Sequence, residues 1–324
     1  MDVRFYDFSF KLLYILPEYA AETGIVSMNT TTEFNGNGSF ELVFHDSDLM
    51  SVIREHINEM FVFWNGFQGY ATGYLFETGN MRLFGKHLNG LLGRRVILPD
   101  SEPKTGTVEE IACSAVSSGF DFLSVQRTAG FTKNVAYTNK NAVSADSYIQ
   151  AVLNLDNAGY KISADIVGKS LCFTVLLSKS NPLMLSENNL NAYNFSENYD
   201  NKSFANSGWY LKKEETTTEE GKTETAETWT RLSEGNEKSG LYRADALFKS
   251  SSENEARNEL AKAVVSYEAT ADTRNITYGT DYQLGDAVRL QVGSSTVLRK
   301  VSAVNRWLED EYGEEPVLKE VKND

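Results

Sequence analysis

Cysteine is scarce: the 324 residues contain two, Cys113 and Cys172. They are far apart in sequence and neither belongs to a CxxC or metal-ligand spacing, so buried, reduced thiols are expected. Histidine is almost as rare. His45, His56 and His87 have no HxH, HExxH or Gly-x-Ser-x-Gly company, which removes the common zinc and serine-hydrolase arrangements. Each is expected to be a core or surface histidine, and neither a catalytic residue, a metal nor a cofactor is expected. No apolar run approaches the ~18 residues of a membrane-spanning helix, and the opening MDVRFYDFSF has no signal-peptide pattern. The expectation is a protein made in the cytoplasm, in which the sequons at Asn29, Asn194, Asn201 and Asn275 carry no message, because glycosylation needs a secretory route. Positive charge is in deficit as well. Thirty-one Lys and Arg against 45 Asp and Glu give a net charge of -14, a field that repels a polyanion and argues against stable nucleic-acid binding.

Apolar residues are plentiful at 41%, and 12% are aromatic, enough for packed cores and too many for disorder. Sixteen Tyr and eighteen Phe, with many Thr and Val, tilt the balance towards β structure. At ~150 residues per domain the length suggests two or three domains.

The stretch 69–98 organises the rest. Two short apolar strands at 70–76 and 81–85 flank the turn Glu77-Thr78-Gly79-Asn80, with Gly79 where a tight hairpin needs positive φ. A short helical turn follows, in which Leu88, Leu91 and Leu92 share one face and bury it against the sheet. Next come Arg94 and Arg95 and the apolar strand 95–98. The arginine pair has two readings. One is a clamp for phosphate or carboxylate. The commoner one is a cap on the last carbonyls of the turn and a solvated rim.

In chain order, residues 1–17 and 27–44 read as two hairpins. Asp46 or Ser47 caps a helix with Leu49, Val52, Ile53 and Ile57 inward, and residues 61–64 form another strand. Residues 1–103 thus read as a β-barrel of some seven strands and one helix. Residues 104–185 read as a small α+β domain. Thr107 and Glu110 form a capping box, Ser144 caps a second helix carrying Tyr148, Val152 and Leu155, and a hairpin turns at Val167-Gly168. Residues 186–324 read as a second β-rich, barrel-like domain. It holds a helix opened by Ser252 and Glu255, three late strands, and an exposed acidic loop at 309–315. The biased segment at about 210–230, with six Glu and three Lys among Thr, reads as an exposed hairpin with its tip at 219–222. Its like charges keep its edges from pairing, and no Asp or His joins it at metal-ligand spacing.

Several ordered motifs resemble a family of phage tail proteins. They are Phe5-Tyr6-Asp7 with residues 12–16, Gly38-Ser39-Phe40-Glu41-Leu42, and Gly85-Lys86-His87-Leu88 followed by Leu91-Leu92-Gly93-Arg94-Arg95. The helix from Ser252 and the strand Tyr282-Leu284-Gly285-Asp286-Ala287-Val288 are similar to that family's second half, with the Glu/Thr hairpin as an insertion. The resemblance implies a tail-tip hub, similar in fold to contractile-phage baseplate hubs. The implied fold is mainly β with an α+β insert and two tube-forming β-barrel domains. It further implies a homotrimer in the virion tail that meets a hexameric tail-tube or distal tail protein and lines part of the DNA channel, with a tape-measure protein or receptor-binding fibre as further partners. Arg94 and Arg95 would then face a subunit interface. Such hubs often carry a lytic extension; none is expected after residue 324, so a lytic role is not expected. The rival classes are a hydrolase with paired carboxylates and a carbohydrate-binding adhesin using exposed rings such as Trp209 and Trp229.

Overall fold

The computed structural model describes residues 2–18, 24–77, 80–200, 202, 204–217, 223–233, 243–248, 253–260, 263 and 266–321. The turn residues Thr78 and Gly79, the hairpin tip at 219–222, the Ser252 cap and the Asn201 sequon lie outside them. Contacts divide the chain into two compact units, residues 1–196 with 269–324, and residues 197–268.

In the first unit, Val3–Asp7 and Leu12–Leu16 form one hairpin and Ile25–Glu33 and Ser39–Phe44 a second. Met60–Trp64, Phe67–Glu77 and Asn80–His87 follow as a meander. Met60–Trp64 shows no polar alternation because both its faces are covered. Met60, Val62 and Trp64 enter a core with Phe5, Leu42, Phe44 and Leu83. Phe61 and Phe63 enter the opposite core, built on the α+β layer. The helix Ser47–His56 buries Leu49 and Ile53, and its N-cap Asp46 accepts from the amides of Asp48 and Leu49. Tyr14 Oη donates to Asp46 Oδ2 at 2.7 Å, tying that helix to the edge strand Leu12–Leu16.

Ile25–Glu33 takes Ser295–Leu308 as its other neighbour, antiparallel, with Leu308 opposite Met28 and Ala303 opposite Glu33. Tyr312–Glu320 pairs on the far side of that strand. Strands from residues 1–103 and from the end of 186–324 therefore share one hydrogen-bonded sheet.

The α+β layer packs on that sheet. Thr107 and Glu110 make their capping box, each side chain accepting from the other's amide, at 3.2 and 2.9 Å. The second helix, Ala145–Asn154, buries Tyr148, Ile149, Val152 and Leu153. Leu155, expected inward, lies just past its end and is exposed. Ser144 makes no capping bond, because its hydroxyl pairs with that of Ser147. The foreseen hairpin, Gly159–Asp165 with Ser170–Leu176, gains an unforeseen parallel neighbour in Leu123–Gln126. The loop expected at 309–315 shrinks to 309–311, since Tyr312, Gly313, Glu314 and Glu315 pair with residues 305–308.

In the second unit, Ser207–Thr217 and Thr223–Ser233 form the long hairpin, and Asp245–Phe248 pairs parallel with the first of these strands. The helix Glu253–Leu260 buries Ala256 and Leu260 against Tyr210, Leu232 and Phe248. The sequence carries this helix on through Val265, but of residues 261–265 all except Ala263 lie outside the described residues. The fold is mainly β with an α+β insert.

Candidate functional site

The first hairpin turns at Phe8-Ser9-Phe10 with two rings on its tip. Asp7 Oδ1 accepts from Ser9 N, Ser9 Oγ and Lys11 N at 2.9, 2.6 and 2.9 Å. Burial pushes this carboxyl up, but those hydrogen bonds hold it below the ordinary aspartate value. Phe10 closes the turn with φ +64, a left-handed conformation in which a bulky residue is an outlier. Its ring is held against Phe61 at 5.3 Å, and Phe8 lies 4.7 Å from the same ring.

The 3-10 turn Leu88–Arg94 supplies the other wall. Its apolar face is buried as the leucine spacing requires, and Arg94 emerges with its Cζ 4.6 Å from the Tyr70 ring centroid and 5.5 Å from that of Phe8. Burial pushes the Tyr70 phenol up, and the Arg94 charge partly offsets this. Between these walls lies a cavity of about 570 Å³. Phe8, Phe10, Phe61 and Leu91 form its floor, Phe122 and Leu171 a side, and Arg94, Arg95 and Lys169 its cationic rim. Among the described residues no carboxylate lies within salt-bridge distance of these three cations. Lys169 also sits in left-handed backbone, at φ +49. Beside the rim, Val96 and Leu98 are 67% and 71% exposed, so the short strand Val96–Ile97 presents apolar surface.

The structure thus brings Arg94 and Arg95 to one cavity and gives Arg94 a role the sequence did not indicate, stacked between two rings. No His, Cys, Asp or Glu lines this cavity. What it can do chemically is hold an apolar body that carries an anionic group.

The histidines are dispersed. His56 Nδ1 meets Glu59 Oε1 at 3.0 Å on the surface, and His45 is exposed. His87 is buried; its Nδ1 accepts from Asn89 N, and burial pushes its pKa down to about 3. Cys113 is buried, with its thiol pushed up to about 11 by burial, and Cys172 is half-buried; both are free. Among the described residues no group of three His, Cys, Asp or Glu could hold a metal ion, and no helix is long and apolar enough to cross a membrane. On the Glu/Thr hairpin, Lys213 Nζ meets Glu227 Oε1 at 2.9 Å, and Trp229 is exposed.

Sequence reasoning overlooked Asn89, which sits inside an apolar Leu-Asn-Gly-Leu-Leu run. Its Nδ2 donates to Gly36 O and Tyr160 O at 3.0 and 3.2 Å, and its Oδ1 accepts from Ile162 N at 2.8 Å. This amide fastens the 3-10 turn to both layers, so it positions the arginines. A lone Asn in an apolar run is the signal that could have found it.

No family model matches the sequence, and no curated protein matches it. Solved structures do match. A tail protein from Neisseria meningitidis superposes with a TM-score of 0.60 at 13% identity, over 98% of this chain and 96% of that one. The fold is that of phage tail proteins. A 43 kDa prophage tail protein from Shewanella oneidensis gives a TM-score of 0.56 at 11% identity over 99% and 98% of the two chains. A chain of the phage P2 baseplate, in its activated conformation with Ca, gives 0.51 at 7% identity over 100% and 99%. At these identities the likeness is one of fold.

Proposed function

We propose that the chain is a structural, non-enzymatic subunit of a phage tail, placed at the tail tip as a hub between the tail tube and distal parts. The observation that carries this reading is the near end-to-end fold match to tail proteins, 98% of this chain against 96% of the Neisseria one. In this reading residues 1–103 and 186–324 supply two barrel-like, tube-facing parts, three copies form a ring in the virion tail, and DNA passes through it without stable binding. The net charge of -14 fits a channel wall that does not hold a polyanion. Arg94 and Arg95, beside exposed Val96 and Leu98, form the face towards a neighbouring subunit. An unmatched cationic rim over an aromatic floor is what a neighbour's acidic, apolar segment would cover.

The test combines mass in solution with binding to assembled tail tubes. A mass of three subunits, or tubes capped at one end by this chain, is the expected result. A monomer at every concentration that caps no tube, but binds or cleaves a cell-wall glycan, overturns the hub in favour of an adhesin or hydrolase.

A further inference from the structure

The cavity between the first hairpin tip and the 3-10 turn is already formed in the single subunit. Its floor is closely packed. Phe10, Phe61 and Leu91 are buried, and Phe61 meets three rings, those of Phe8, Phe10 and Phe63, at 4.7, 5.3 and 6.0 Å. Such packing normally leaves no space, yet about 570 Å³ stays open above it. That volume is in the usual range of small-molecule sites. The side wall is also apolar: Phe122 lines the cavity while 44% exposed, and is held by an edge contact with buried Phe120 at 5.7 Å.

Three cations, Arg94, Arg95 and Lys169, line the same space, and among the described residues none of them has a carboxylate partner. Arg94 is fixed in advance by stacking on Tyr70 and Phe8, so a ligand need not order it. On an open surface an unpartnered arginine means little, because water satisfies it. Above an aromatic floor it creates a preference. An apolar body gains from the rings, and only an anion gains from the rim as well. A cation is repelled by three like charges, and a neutral alcohol gains the floor alone. Among anions, a planar carboxylate matches a guanidinium edge with two parallel hydrogen bonds.

Two of the lining residues are also strained. Phe10 and Lys169 hold left-handed backbone, at φ +64 and +49, which is unfavourable for side chains of this size. One belongs to the floor and the other to the rim, so both parts of the site are held at a conformational cost.

We propose that this cavity is a binding site for a small free carboxylate with an aromatic or alkyl body. The body lies on Phe10, Phe61 and Leu91, and the carboxylate sits at the rim formed by Arg94, Arg95 and Lys169. The ligand occupies the isolated subunit and leaves when a neighbour docks. That exchange rests on the hub reading, whereas the binding itself does not.

The test is isothermal titration calorimetry of the full chain with sodium 4-phenylbutyrate, sodium octanoate and the neutral 4-phenylbutanol. At least one carboxylate should bind once per chain, with a Kd on the order of 1 mM or tighter. The alcohol should bind at least tenfold more weakly than 4-phenylbutyrate. In the double variant Arg94→Gln, Arg95→Gln the carboxylates should weaken at least tenfold and the alcohol should hold its affinity. Ser170→Trp, at an exposed lining residue, should fill the space and abolish binding of all three. The comparison of acid with alcohol needs only the unaltered chain, so it decides even where a variant does not fold. No saturable binding of either carboxylate, equal binding of acid and alcohol, or an undiminished affinity in the glutamine variant overturns the site. A chain that forms trimers but binds no carboxylate overturns the site and leaves the hub standing. A chain that stays monomeric and binds the carboxylate overturns the hub and leaves the site standing.

Discussion

Phe10 shows how much strain one residue is made to hold. At φ +64 a residue with a Cβ is unfavourable by about 1 kcal/mol relative to glycine, and packing against Phe61 offsets this. Both Phe10→Ala and Phe10→Gly should destabilise, but the glycine variant should be the more stable by about 1 kcal/mol in urea unfolding, the reverse of the usual order in a strand. Asn89 works through hydrogen bonds instead of strain. Asn89→Leu should remove about 3 kcal/mol or more, because Gly36 O, Tyr160 O and Ile162 N lose their partner in a buried place. His87 sets a pH limit. Its folded pKa of about 3 lies below the ordinary 6.5, so the unfolded chain binds the extra proton first. Its contribution is complete above pH 6.5 and is lost as pH falls towards 3. A plot of Tm against pH should fall over that window and flatten in His87→Gln.

Elements were legible in the sequence where one chain segment decides its own environment. The Thr107–Glu110 box, the Asp46 cap and the alternation of Phe40, Leu42 and Phe44 all depend on near neighbours. The unread elements are those whose environment is set from far away. Ser295–Leu308 turns Arg306 inward, although an arginine among Ser, Asn and Lys reads as solvent-facing. Its buried face is fixed by pairing with Ile25–Glu33, some 270 residues earlier. Glu314 reads as part of an acidic loop, yet it is buried, accepting from Tyr278 and Tyr282 more than 30 residues earlier and from Tyr312 on its own strand. At the candidate site the arginine pair was legible, but the rings beneath it come from the hairpin tip at Phe8 and Phe10 and from Phe61. Phe34 joins these distant parts. Its amide donates to Ser302 O at 2.8 Å and its carbonyl accepts from Tyr160 N at 2.9 Å. Gly159 lies so close that a Cβ would stand 2.2 Å from Phe34 O. Gly159→Ala should therefore cost about 3 kcal/mol or more in urea unfolding, by forcing the α+β hairpin away from the sheet.

For the whole molecule, the distribution of charge matters more than its sum. A chain of net charge -14 repels its own copies, and the cationic rim at Arg94, Arg95 and Lys169 is a place where that repulsion is locally reversed. The double variant Arg94→Glu, Arg95→Glu should abolish assembly into trimers or onto tubes, as measured by solution mass. Urea unfolding of the isolated subunit should change by less than about 1 kcal/mol, because both side chains are exposed. Intact assembly with altered DNA ejection would instead place the pair in the channel.

The late strand that completes the first sheet also fixes when the protein can finish folding. A ribosome emits residues 25–33 long before 295–308, so for most of synthesis Ile25–Glu33 presents an open edge of unpaired amides and carbonyls, the kind of edge that recruits other chains. Closing it needs a contact spanning nearly the whole sequence, which is slow to find. Nascent chains of this protein should therefore depend on chaperones until residue 308 has emerged. Chains stopped near residue 290 should aggregate, whereas the full-length chain refolds from dilute urea, a contrast that pelleting assays on the two translation products would reveal.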